Sequence, residues 1–444
     1  MEYNINQLIK PVTTSVNNKD NLEIGGCDLV DLARKYKTPL YVVDEATLRV
    51  VCKSYRDAFA NYEKTKILYA SKALCTSAVS KIIETEKFGF DVVSGGELYT
   101  LYKAGVDMQN VIFNGNNKNI DELKMAIDWK VGRISVDNFL ELATLDKIAE
   151  LKQIQVDILL RITPGIECHT HEYIQTGHLD SKFGFDMSQI DMAIDLILNQ
   201  YKNIKLKGLH AHIGSQIFET EVYSDEIGIL IQELSRIREK YGIELNEINI
   251  GGGLGVKYVQ SDNPPTVYEM AETIINAIKN NCKKYDYIYP QIYLEPGRSI
   301  ISTAGVTLYT IGSRKQVPNG RKYVSVDGGM ADNPRPSLYQ AEYTAQIANK
   351  PNQDKTELVT IAGRYCESGD ILISNIKLPK LEAGDILCVY NTGAYNYSMS
   401  SNYNRSLKPA MVLVNSGQSD IIINRESLDD LIRNDVIPNR LKQC

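Results

Sequence analysis

The sequence has little that would direct the protein to a membrane or to nucleic acid. No apolar run approaches the roughly 18 residues that a bilayer-spanning helix needs. The first twenty residues lack the apolar core of a signal peptide. Positive charge is not in excess, since 49 basic and 55 acidic residues leave a formal net charge of -6, which argues against a surface for nucleic acid or anionic lipid. We therefore expect a cytoplasmic protein that binds neither nucleic acid nor membrane.

Metal-ligating and redox-active side chains are also sparse. The eight cysteines are scattered without a Cys-x-x-Cys pair and are expected to be mostly reduced and structural. All five histidines lie between residues 169 and 212. Three of them, His169, His171 and His178, fall in a predicted loop, and no cysteine or carboxylate set has the spacing of zinc ligands. The sequence therefore predicts no metal site.

What is present is the composition of a folded protein with two domains. Hydrophobic residues make up 43% and charged residues 23% of the chain, close to the average of soluble globular proteins. A length of 444 residues is too great for one compact core. We see no internal repeat and no low-complexity tract.

The first two thirds of the chain alternate short apolar runs with amphipathic helical patterns. The runs are rich in Ile, Val and Leu without strict alternation, as in buried parallel strands. Eight strand–helix pairs over about 250 residues are typical of a TIM-type (β/α)8 barrel, predicted here at 46–300. An open, doubly wound sheet is the alternative. The runs are 66–71, 89–93, 110–113, 132–136, 155–162, 204–212, 245–250 and 288–294.

The last third of the chain has a different pattern. Closely spaced strand patterns follow one another without helices, which predicts a C-terminal antiparallel β domain, a small barrel or sandwich, at 301–444. The segment 1–45 carries one strand pattern, 39–43, and is expected to pack with this β domain. The stretch 426–436 resembles a short closing helix.

Reactive side chains are concentrated just after the predicted barrel strands, where TIM barrels carry their active sites. Lys72 closes the first run. A lysine there is either an ordinary basic residue that reaches solvent or, when desolvated, a group that forms a Schiff base with an aldehyde. Glu295 either pairs with Arg298 or faces a pyridine nitrogen and keeps it protonated. His212 is either a core residue or a flat ring that stacks on a cofactor.

Small residues after the later runs suggest a phosphate site. Gly251, Gly252 and Gly253 follow the seventh run. They either form a tight turn or let backbone N–H groups approach a phosphate, which TIM barrels often bind after strands seven and eight. Ser215, after the sixth run, offers a hydroxyl donor.

Taken together, these residues resemble the fold-type III, alanine-racemase-like enzymes that use pyridoxal 5'-phosphate, and within them the bacterial diaminopimelate decarboxylases. The resemblance extends from residue 25 to residue 427 and rests on ordered motifs. The motifs are YASKA (69–73), FGFDVVSGGEL (88–98), SKFGF (181–185), HAHIGSQ (210–216), GGGLG (251–255), EPGRSI (295–300), DGGMADNPRPSLY (327–339), CESGD (366–370) and TGAYNYSM (392–399).

The resemblance implies a site for pyridoxal phosphate. Lys72 would be catalytic and bind the cofactor as a Schiff base. His212 would stack on the ring, and Glu295 would pair with the pyridinium nitrogen. The other implied cofactor-binding residues are Asp91, Ser215, Gly253, Gly297, Arg298 and Tyr395.

The resemblance also implies a substrate pocket shared by the two subunits of a homodimer. Cys366 would be the catalytic proton donor and would come, with Glu367, from the second subunit. Diaminopimelate carries a carboxylate and an ammonium at its distal end, which Arg335 and Glu367 match in charge. The alternative for these two residues is a surface or interface ion pair. The implied substrate-binding residues are Arg298, Arg335, Tyr339, Glu367 and Tyr395.

The implied reaction is decarboxylation of meso-2,6-diaminopimelate to L-lysine and CO2, the last step of lysine biosynthesis. One alternative is decarboxylation of another basic amino acid such as arginine, or of carboxynorspermidine. SKFGF and NPRPSLY favour diaminopimelate. An alternative of another class is a protein without cofactor that only binds partners. Such a protein should have lost Lys72, Glu295 or Cys366, and all three are present.

Overall fold

The computed structural model describes residues 4–165 and 181–442. The strands are β1 (Ser15–Val16), β2 (Leu22–Ile24), β3 (Cys27–Asp28), β4 (Leu40–Asp44), β5 (Thr65–Ala70), β6 (Gly89–Val92), β7 (Val111–Phe113), β8 (Arg133–Val136), β9 (Val156–Thr163), β10 (Phe185–Asp186), β11 (Ile204–His210), β12 (Glu247–Asn249), β13 (Gln291–Leu294), β14 (Gly305–Gln316), β15 (Lys322–Val326), β16 (Ala345–Ile347), β17 (Glu357–Ala362), β18 (Ile371–Leu378), β19 (Ile386–Val389), β20 (Ala410–Asn415) and β21 (Gln418–Ile423).

The helices lie mainly between the barrel strands. They are α1 (Leu29–Tyr36), α2 (Glu45–Ala58), α3 (Ser77–Thr85), α4 (Gly95–Lys103), α5 (Ile120–Asp128), α6 (Phe139–Lys152), α7 (Ile190–Asn199), α8 (Glu221–Tyr241), α9 (Val267–Lys284), α10 (Arg298–Ile301), α11 (Arg335–Tyr339) and α12 (Leu428–Ile432). Among the described residues, no helix is both long and apolar enough to cross a membrane.

Eight parallel strands close into a barrel. They pair in the order β5, β6, β7, β8, β9, β11, β12 and β13, and the pairing of β13 with β5 closes the circle. The short strand β10 adds a parallel pairing to β9. Inside the barrel, Leu68, Ile112, Leu159 and Tyr293 form an apolar cluster. The predicted TIM-type barrel is confirmed, and the closing pair excludes an open sheet.

Several barrel helices begin at polar capping residues. A side chain at each of these positions accepts a hydrogen bond from a first-turn N–H group, which would otherwise lack an intrahelical partner. The helix α8 ends at Gly242, whose φ of 69° is that of a left-handed C-cap, as predicted. The capping residues are Thr76 for α3, Ser94 for α4, Asn119 for α5, Asn138 for α6 and Thr266 for α9.

A second sheet is built around β14. Its order is β18, β17, β15, β14, β4, β20 and β21, and β19 joins β14 to β16. Most pairings are antiparallel, with β15–β17 and β4–β20 as parallel exceptions. The predicted C-terminal β domain is therefore confirmed, and the strand predicted at 39–43 belongs to it as β4. The closing helix is shorter than predicted and covers only Leu428–Ile432.

Contacts divide the chain into two units. The barrel unit comprises the described residues of Met1–Ile9 together with Leu48–Thr303, and the β unit comprises Lys10–Thr47 and the described residues of Ala304–Cys444. The residues up to Ile9 join the barrel unit because Asn6 donates hydrogen bonds to the carbonyl oxygens of Gly255 and Pro265. The domain boundaries 1–45, 46–300 and 301–444 remain a prediction.

Candidate active site

Lys72 lies at the carboxyl end of β5, in a 3-10 helix formed by Ser71–Ala73. Its Nζ donates a hydrogen bond to Asp91 Oδ2 at 3.2 Å, and its side chain is 37% exposed. Asp91 is buried in β6. Burial and the nearby Glu295 raise the pKa of the Asp91 carboxyl, and Lys72 opposes this shift. The Lys72 amine is therefore held next to buried carboxyl groups while it stays accessible.

Glu295 follows β13 and is buried. Its Oε1 accepts hydrogen bonds from Asn114 Nδ2 at 2.8 Å and Asn249 Nδ2 at 2.6 Å, and its Oε2 lies 3.5 Å from His210 Nε2. Burial alone would raise the pKa of this carboxyl, but His210, Lys72 and Asn249 hold the pKa well below its ordinary value. Glu295 is therefore an ionised carboxylate inside the barrel.

The His212 ring lies beside the glycine loop that follows β12. Burial lowers the pKa of His212 well below its ordinary value, and the positive charges of Lys72 and Arg161 add to the effect. The ring is therefore neutral, and its Nδ1 accepts a hydrogen bond from Gly252 N at 3.3 Å. Gly251 has a φ of 64°, and a Cβ there would lie 2.5 Å from His212 Nδ1. Only glycine lets the ring lie this close to the loop.

A cavity of about 370 Å³ joins these residues at the carboxyl ends of the barrel strands. Its size falls within the roughly 300–1,000 Å³ of small-molecule pockets. The cavity belongs to the barrel unit. Its lining residues are Lys72, Val93, Asn114, Gly115, Asn116, Arg161, Lys182, Phe183, His210, His212 and Glu295.

The predicted phosphate residues lie on neighbouring segments of the barrel unit. Arg298, at the start of α10, donates to Ser215 Oγ from Nη2 at 3.0 Å and to Tyr258 Oη from Nη1 at 2.9 Å. Gly253 lies against the loop that ends in Ser215, since a Cβ there would be 2.8 Å from the Gly214 oxygen. Gly297 precedes Arg298 and lies against Ala70 of β5. Arg298 and Ser215 thus come together as predicted for an anion site.

The predicted substrate residues Arg335 and Tyr339 lie in α11 of the β unit. Arg335 is buried and its Nη1 donates to Tyr343 Oη at 3.0 Å. Tyr339 is half-buried, and so is Tyr395, which has a φ of 60°. Arg335 is therefore not a surface residue, whereas the alternative of a surface or interface ion pair remains untested.

Cys366 and Glu367 are exposed in the β unit. The backbone N–H of Cys366 donates to Asn404 Oδ1 at 3.3 Å, and Glu367 Oε1 accepts a hydrogen bond from the Tyr403 hydroxyl. Of the cysteines that the structure describes, Cys366 is the exposed one. Cys168, Cys444 and the predicted loop with His169, His171 and His178 lie outside the described residues.

Sequence reasoning missed the residues that hold the predicted ones in place. Asn114 donates to both Glu295 and Asp91, and Asn249 donates to the same Oε1 of Glu295. Arg161 lines the cavity with its guanidinium 4.3 Å from the centre of the Phe183 ring. Asn114 and Asn249 stand at the ends of β7 and β12. Their position at strand ends was the one signal that could have found them.

The barrel unit has the groups that pyridoxal phosphate requires. Lys72 supplies a partly accessible amine for the aldehyde, and Glu295 supplies an ionised carboxylate for the pyridine nitrogen. The neutral His212 ring borders the same cavity, and Arg298 with Ser215 offers donors suited to a phosphate. The residues present therefore fit this cofactor.

Comparison with known proteins agrees with this geometry. A family model described as "Pyridoxal-dependent decarboxylase, pyridoxal binding domain" matches residues 45–302. Diaminopimelate decarboxylase from Synechocystis sp. is 49% identical over 98% of this chain and 94% of its own length. The enzyme of that name from Bacillus subtilis is 46% identical over 96% of this chain and 97% of its own.

A solved structure with the same fold extends the match to three dimensions. Diaminopimelate decarboxylase from M. jannaschii in complex with L-lysine has a TM-score of 0.91, with 33% identity over 98% of this chain and 100% of that one. The match covers both units. The chain therefore belongs to the diaminopimelate decarboxylase family of pyridoxal-phosphate-dependent carboxy-lyases.

Proposed function

We propose that this protein removes the carboxylate from the D-centre of meso-2,6-diaminopimelate and releases L-lysine and CO2. The observation that carries the proposal is the buried, ionised Glu295 at the same barrel end as Lys72. Relatives that carry the name diaminopimelate decarboxylase, at 46–49% identity over nearly the whole chain, support the substrate.

The cofactor would be held through the barrel unit. Bound pyridoxal phosphate supplies an electron sink for the electron pair that is left when CO2 departs. Lys72 would bind its aldehyde covalently and give way to the substrate amine. Asp91, 3.2 Å from the Lys72 amine, orients that amine and exchanges protons with it.

Glu295 would hold a proton on the pyridine nitrogen. Its ionised state makes it a strong acceptor for that N–H group. Asn114 and Asn249 fix its Oε1, which leaves Oε2 to face the proton. The His212 ring would lie against one face of the cofactor ring. Because the histidine is neutral, it would not repel a pyridinium. Arg298 and Ser215, with the backbone at Gly253 and Gly297, would bind the phosphate.

Specificity for diaminopimelate would come from the β unit. Arg335 would bind the distal carboxylate through a guanidinium that Tyr343 orients. Glu367 would bind the distal ammonium. Tyr339 and Tyr395 would complete the pocket, with Tyr395 also close to the cofactor and Arg298 reaching the substrate. The pairing of opposite charges at both distal groups would reject monocarboxylic diamino acids such as lysine.

Cys366 would return a proton to the carbon that has lost CO2. We further propose that Cys366 and Glu367 act in the active site of a second subunit in a homodimer. Their exposure in a single chain supports this role, because a proton donor must be shielded from bulk water during the reaction. We also propose a cytoplasmic location, which the absence of disulfides among the described cysteines favours.

A CO2-release assay tests the proposed activity. The purified protein, supplied with pyridoxal phosphate, is offered meso-diaminopimelate, its LL isomer, L-lysine, L-ornithine and L-arginine. Release from meso-diaminopimelate with equimolar L-lysine is expected. Faster turnover of ornithine or arginine would refute the substrate, and no turnover of any of them by cofactor-loaded protein would refute the activity.

The Lys72→Ala variant tests whether Lys72 binds the cofactor covalently. Borohydride should fix the cofactor to Lys72 of the wild type, and mass spectrometry of the peptide that contains residue 72 should show the adduct. The variant should show no fixed cofactor. Arg298 and Ser215 are intact in this variant, so non-covalent cofactor binding should persist. A fixed adduct on another lysine of the variant would make this assignment wrong.

A further inference from the structure

Two loops of the β unit carry four residues of the proposed site. The first loop, 327–334, leads directly into α11 with Arg335 and Tyr339. The second loop, 363–370, follows β17 and contains Cys366 and Glu367. Loops are ordinarily the most mobile parts of a fold. The chemistry proposed for these residues requires each loop to hold its side chains in a fixed position.

One buried side chain bonds to both loops. Asp370 Oδ1 accepts a hydrogen bond from Met330 N at 2.7 Å, and Asp370 Oδ2 accepts one from Tyr365 N at 2.8 Å. Asp370 is 3% exposed although its neighbours in the second loop are exposed. Each carboxylate oxygen thus accepts a hydrogen bond from a different loop. We call these two hydrogen bonds the Asp370 bridge.

Further backbone contacts run alongside the bridge. Arg364 N donates to Gly328 O at 2.9 Å, and Ser337 Oγ donates to Gly369 O at 2.9 Å. The second loop is also closed on itself, since Gly363 N donates to Asp370 O at 2.9 Å. The two loops therefore meet along their length, with Asp370 as the charged group between them.

Two glycines make room for the Asp370 carboxylate. A Cβ at Gly329, where φ is 152°, would lie 2.5 Å from Asp370 Oδ1, and a Cβ at Gly363 would overlap the same carboxylate. At Gly363 all three nearest atoms belong to the Asp370 side chain. At Gly363 the carboxylate itself excludes a side chain, and at Gly329 the carboxylate and the positive φ both do. This complementarity indicates a site built around Asp370.

We infer that Asp370 is a positioning residue that joins the loop of Arg335 and Tyr339 to the loop of Cys366 and Glu367, so that each loop holds its proposed substrate-binding or proton-donating residues in a fixed geometry. The inference rests on the proposed function, because that function gives the two loops their substrate and proton roles. Asp370 itself touches neither substrate nor cofactor. It acts through the backbone amides of Met330 and Tyr365.

The test compares Asp370→Asn with a matched variant in the same unit. An amide in place of the carboxylate replaces one acceptor oxygen with an NH2 donor, which then faces a backbone N–H group that it cannot bind. Asp385→Asn is the control, because Asp385 is equally buried, accepts from Glu382 N at 2.8 Å and binds Lys350 and Asn349. None of these partners lies in either loop.

Hydrogen–deuterium exchange of the cofactor-loaded protein is the first readout. In Asp370→Asn, peptides covering 327–334 and 363–370 should both exchange at least about tenfold faster, as expected for one lost bond to a charged group. Asp385→Asn should leave both peptides at the wild-type rate. Faster exchange in only one loop, or in neither, would overturn the bridge.

Steady-state kinetics with meso-diaminopimelate is the second readout. Asp370→Asn should lower kcat/KM by roughly tenfold to a hundredfold, because small displacements of reacting groups have effects of that size. The absorption of bound cofactor should be unchanged, because its proposed ligands Lys72 and Glu295 belong to the barrel unit. Wild-type kcat/KM despite faster exchange of both loops would overturn the positioning role.

Gly363→Ala provides a second variant that keeps the charge. Its methyl group should displace the Asp370 carboxylate and raise exchange in both loops. The same change in an Asp370→Ala background should have little further effect, because the clash is gone. Additive effects would overturn the inference. If the wild type decarboxylates no substrate, the proposed function fails, while the exchange results still decide the Asp370 bridge.

Discussion

Two buried carboxyl groups in this protein have pKa shifts of opposite sign, because different groups surround them. Glu295 is buried and yet ionised, because two amides and a histidine hold its charge. Glu226 of α8 is also fully buried, but neither of its oxygens has a hydrogen-bond partner in the described part of the chain, and burial raises its pKa well above the ordinary value. Burial alone therefore does not determine whether a carboxyl group is ionised. Its hydrogen-bond partners and neighbouring charges do.

Glu295→Gln should retain cofactor and lose turnover. The amide cannot hold the pyridinium proton, so the electron sink becomes poorer. Loss of one such interaction costs about 3 kcal/mol of transition-state stabilisation, or roughly a hundredfold in kcat. The measurement is kcat with meso-diaminopimelate at saturating cofactor.

Glu226→Gln is the matched control for this variant. In contrast to Glu295, Glu226 has a pKa that burial raises well above the ordinary value. Its replacement by a neutral amide should therefore leave kcat within a few fold of wild type. A wild-type kcat for Glu295→Gln, or equal losses in the two variants, would contradict the role of Glu295.

Asp332→Asn should remove part of the pH dependence of stability. Burial raises the pKa of Asp332 to about 7, although Tyr309 Oη donates to its Oδ2 at 2.5 Å. Because the pKa is raised in the folded state, protonated Asp332 contributes to the free energy of unfolding. This contribution is complete below the ordinary pKa of 3.8 and is lost as pH rises to about 7. Each pH unit across that window changes the free energy of unfolding by up to about 1.4 kcal/mol.

Urea unfolding at several pH values between 4 and 7 measures this effect. The wild type should lose stability relative to Asp332→Asn as pH rises. Asp191→Asn is a control that should leave the pH dependence in this range nearly unchanged, because hydrogen bonds from Arg236 and Lys240 lower the pKa of Asp191 to about 2, below the range. A constant difference between wild type and Asp332→Asn across the window would mean that the pKa of Asp332 is not raised.

At the scale of elements, the segments after the barrel strands are held by buried polar contacts. Lys118 follows β7, and its Nζ binds Glu141 Oε1 at 2.7 Å and the carbonyl oxygens of Gly115 and Ser135 at 2.8 Å. The segment that contains Lys118 also carries Asn114, the ligand of Glu295. A buried ion pair outside the cavity thus fixes a loop that lines it.

Lys118→Met should destabilise the protein by about 3–5 kcal/mol, because it leaves the Glu141 carboxylate buried without its partner. Lys118→Met with Glu141→Leu should cost less than the single change, since no charge is then left buried. The measurement is the free energy of unfolding in urea. Lys124→Met, which breaks an exposed pair with Asp121, is the control and should have little effect. Equal losses for the Lys118 and Lys124 variants would refute the argument.

At the scale of the whole molecule, the residues of the proposed reaction are divided between the two units. The barrel unit carries the cofactor residues, and the β unit carries Cys366, Glu367 and Arg335. Neither set is sufficient for the proposed reaction. If Cys366 serves the site of a second subunit, the dimer is the smallest active form.

Mixing two inactive variants tests whether the dimer is the smallest active form. Lys72→Ala and Cys366→Ala homodimers should each be nearly inactive. After subunit exchange, random pairing makes about half of the dimers hybrid, and one of the two sites in each hybrid is intact. Activity should therefore recover to roughly a quarter of wild type. A lack of recovery, with exchange shown by mass spectrometry, would place both residues in the site of one chain.

The sequence by itself determined the class of fold and predicted which residues are reactive. Apolar runs with helices between them predict parallel strands because both faces of each strand must be buried. Lys72, His212 and Glu295 were identified because charged or aromatic residues at strand ends are unusual. Strands β1, β2, β3, β10, β16 and β18 escaped prediction. In β18, several exposed polar residues and the left-handed Asn375 interrupt the pattern.

Only the tertiary structure decided which of these residues are charged and which contacts hold them. The hydrogen bonds that Glu295 Oε1 accepts come from Asn114 and Asn249, which are 135 residues apart in sequence and meet because β7 and β12 belong to one closed barrel. The Asp370 bridge depends on two backbone N–H groups, which no side-chain pattern records. A motif specifies which side chains are available. Solvation and hydrogen bonding, which set a carboxyl group's charge, arise from distant segments that come together only in the folded chain.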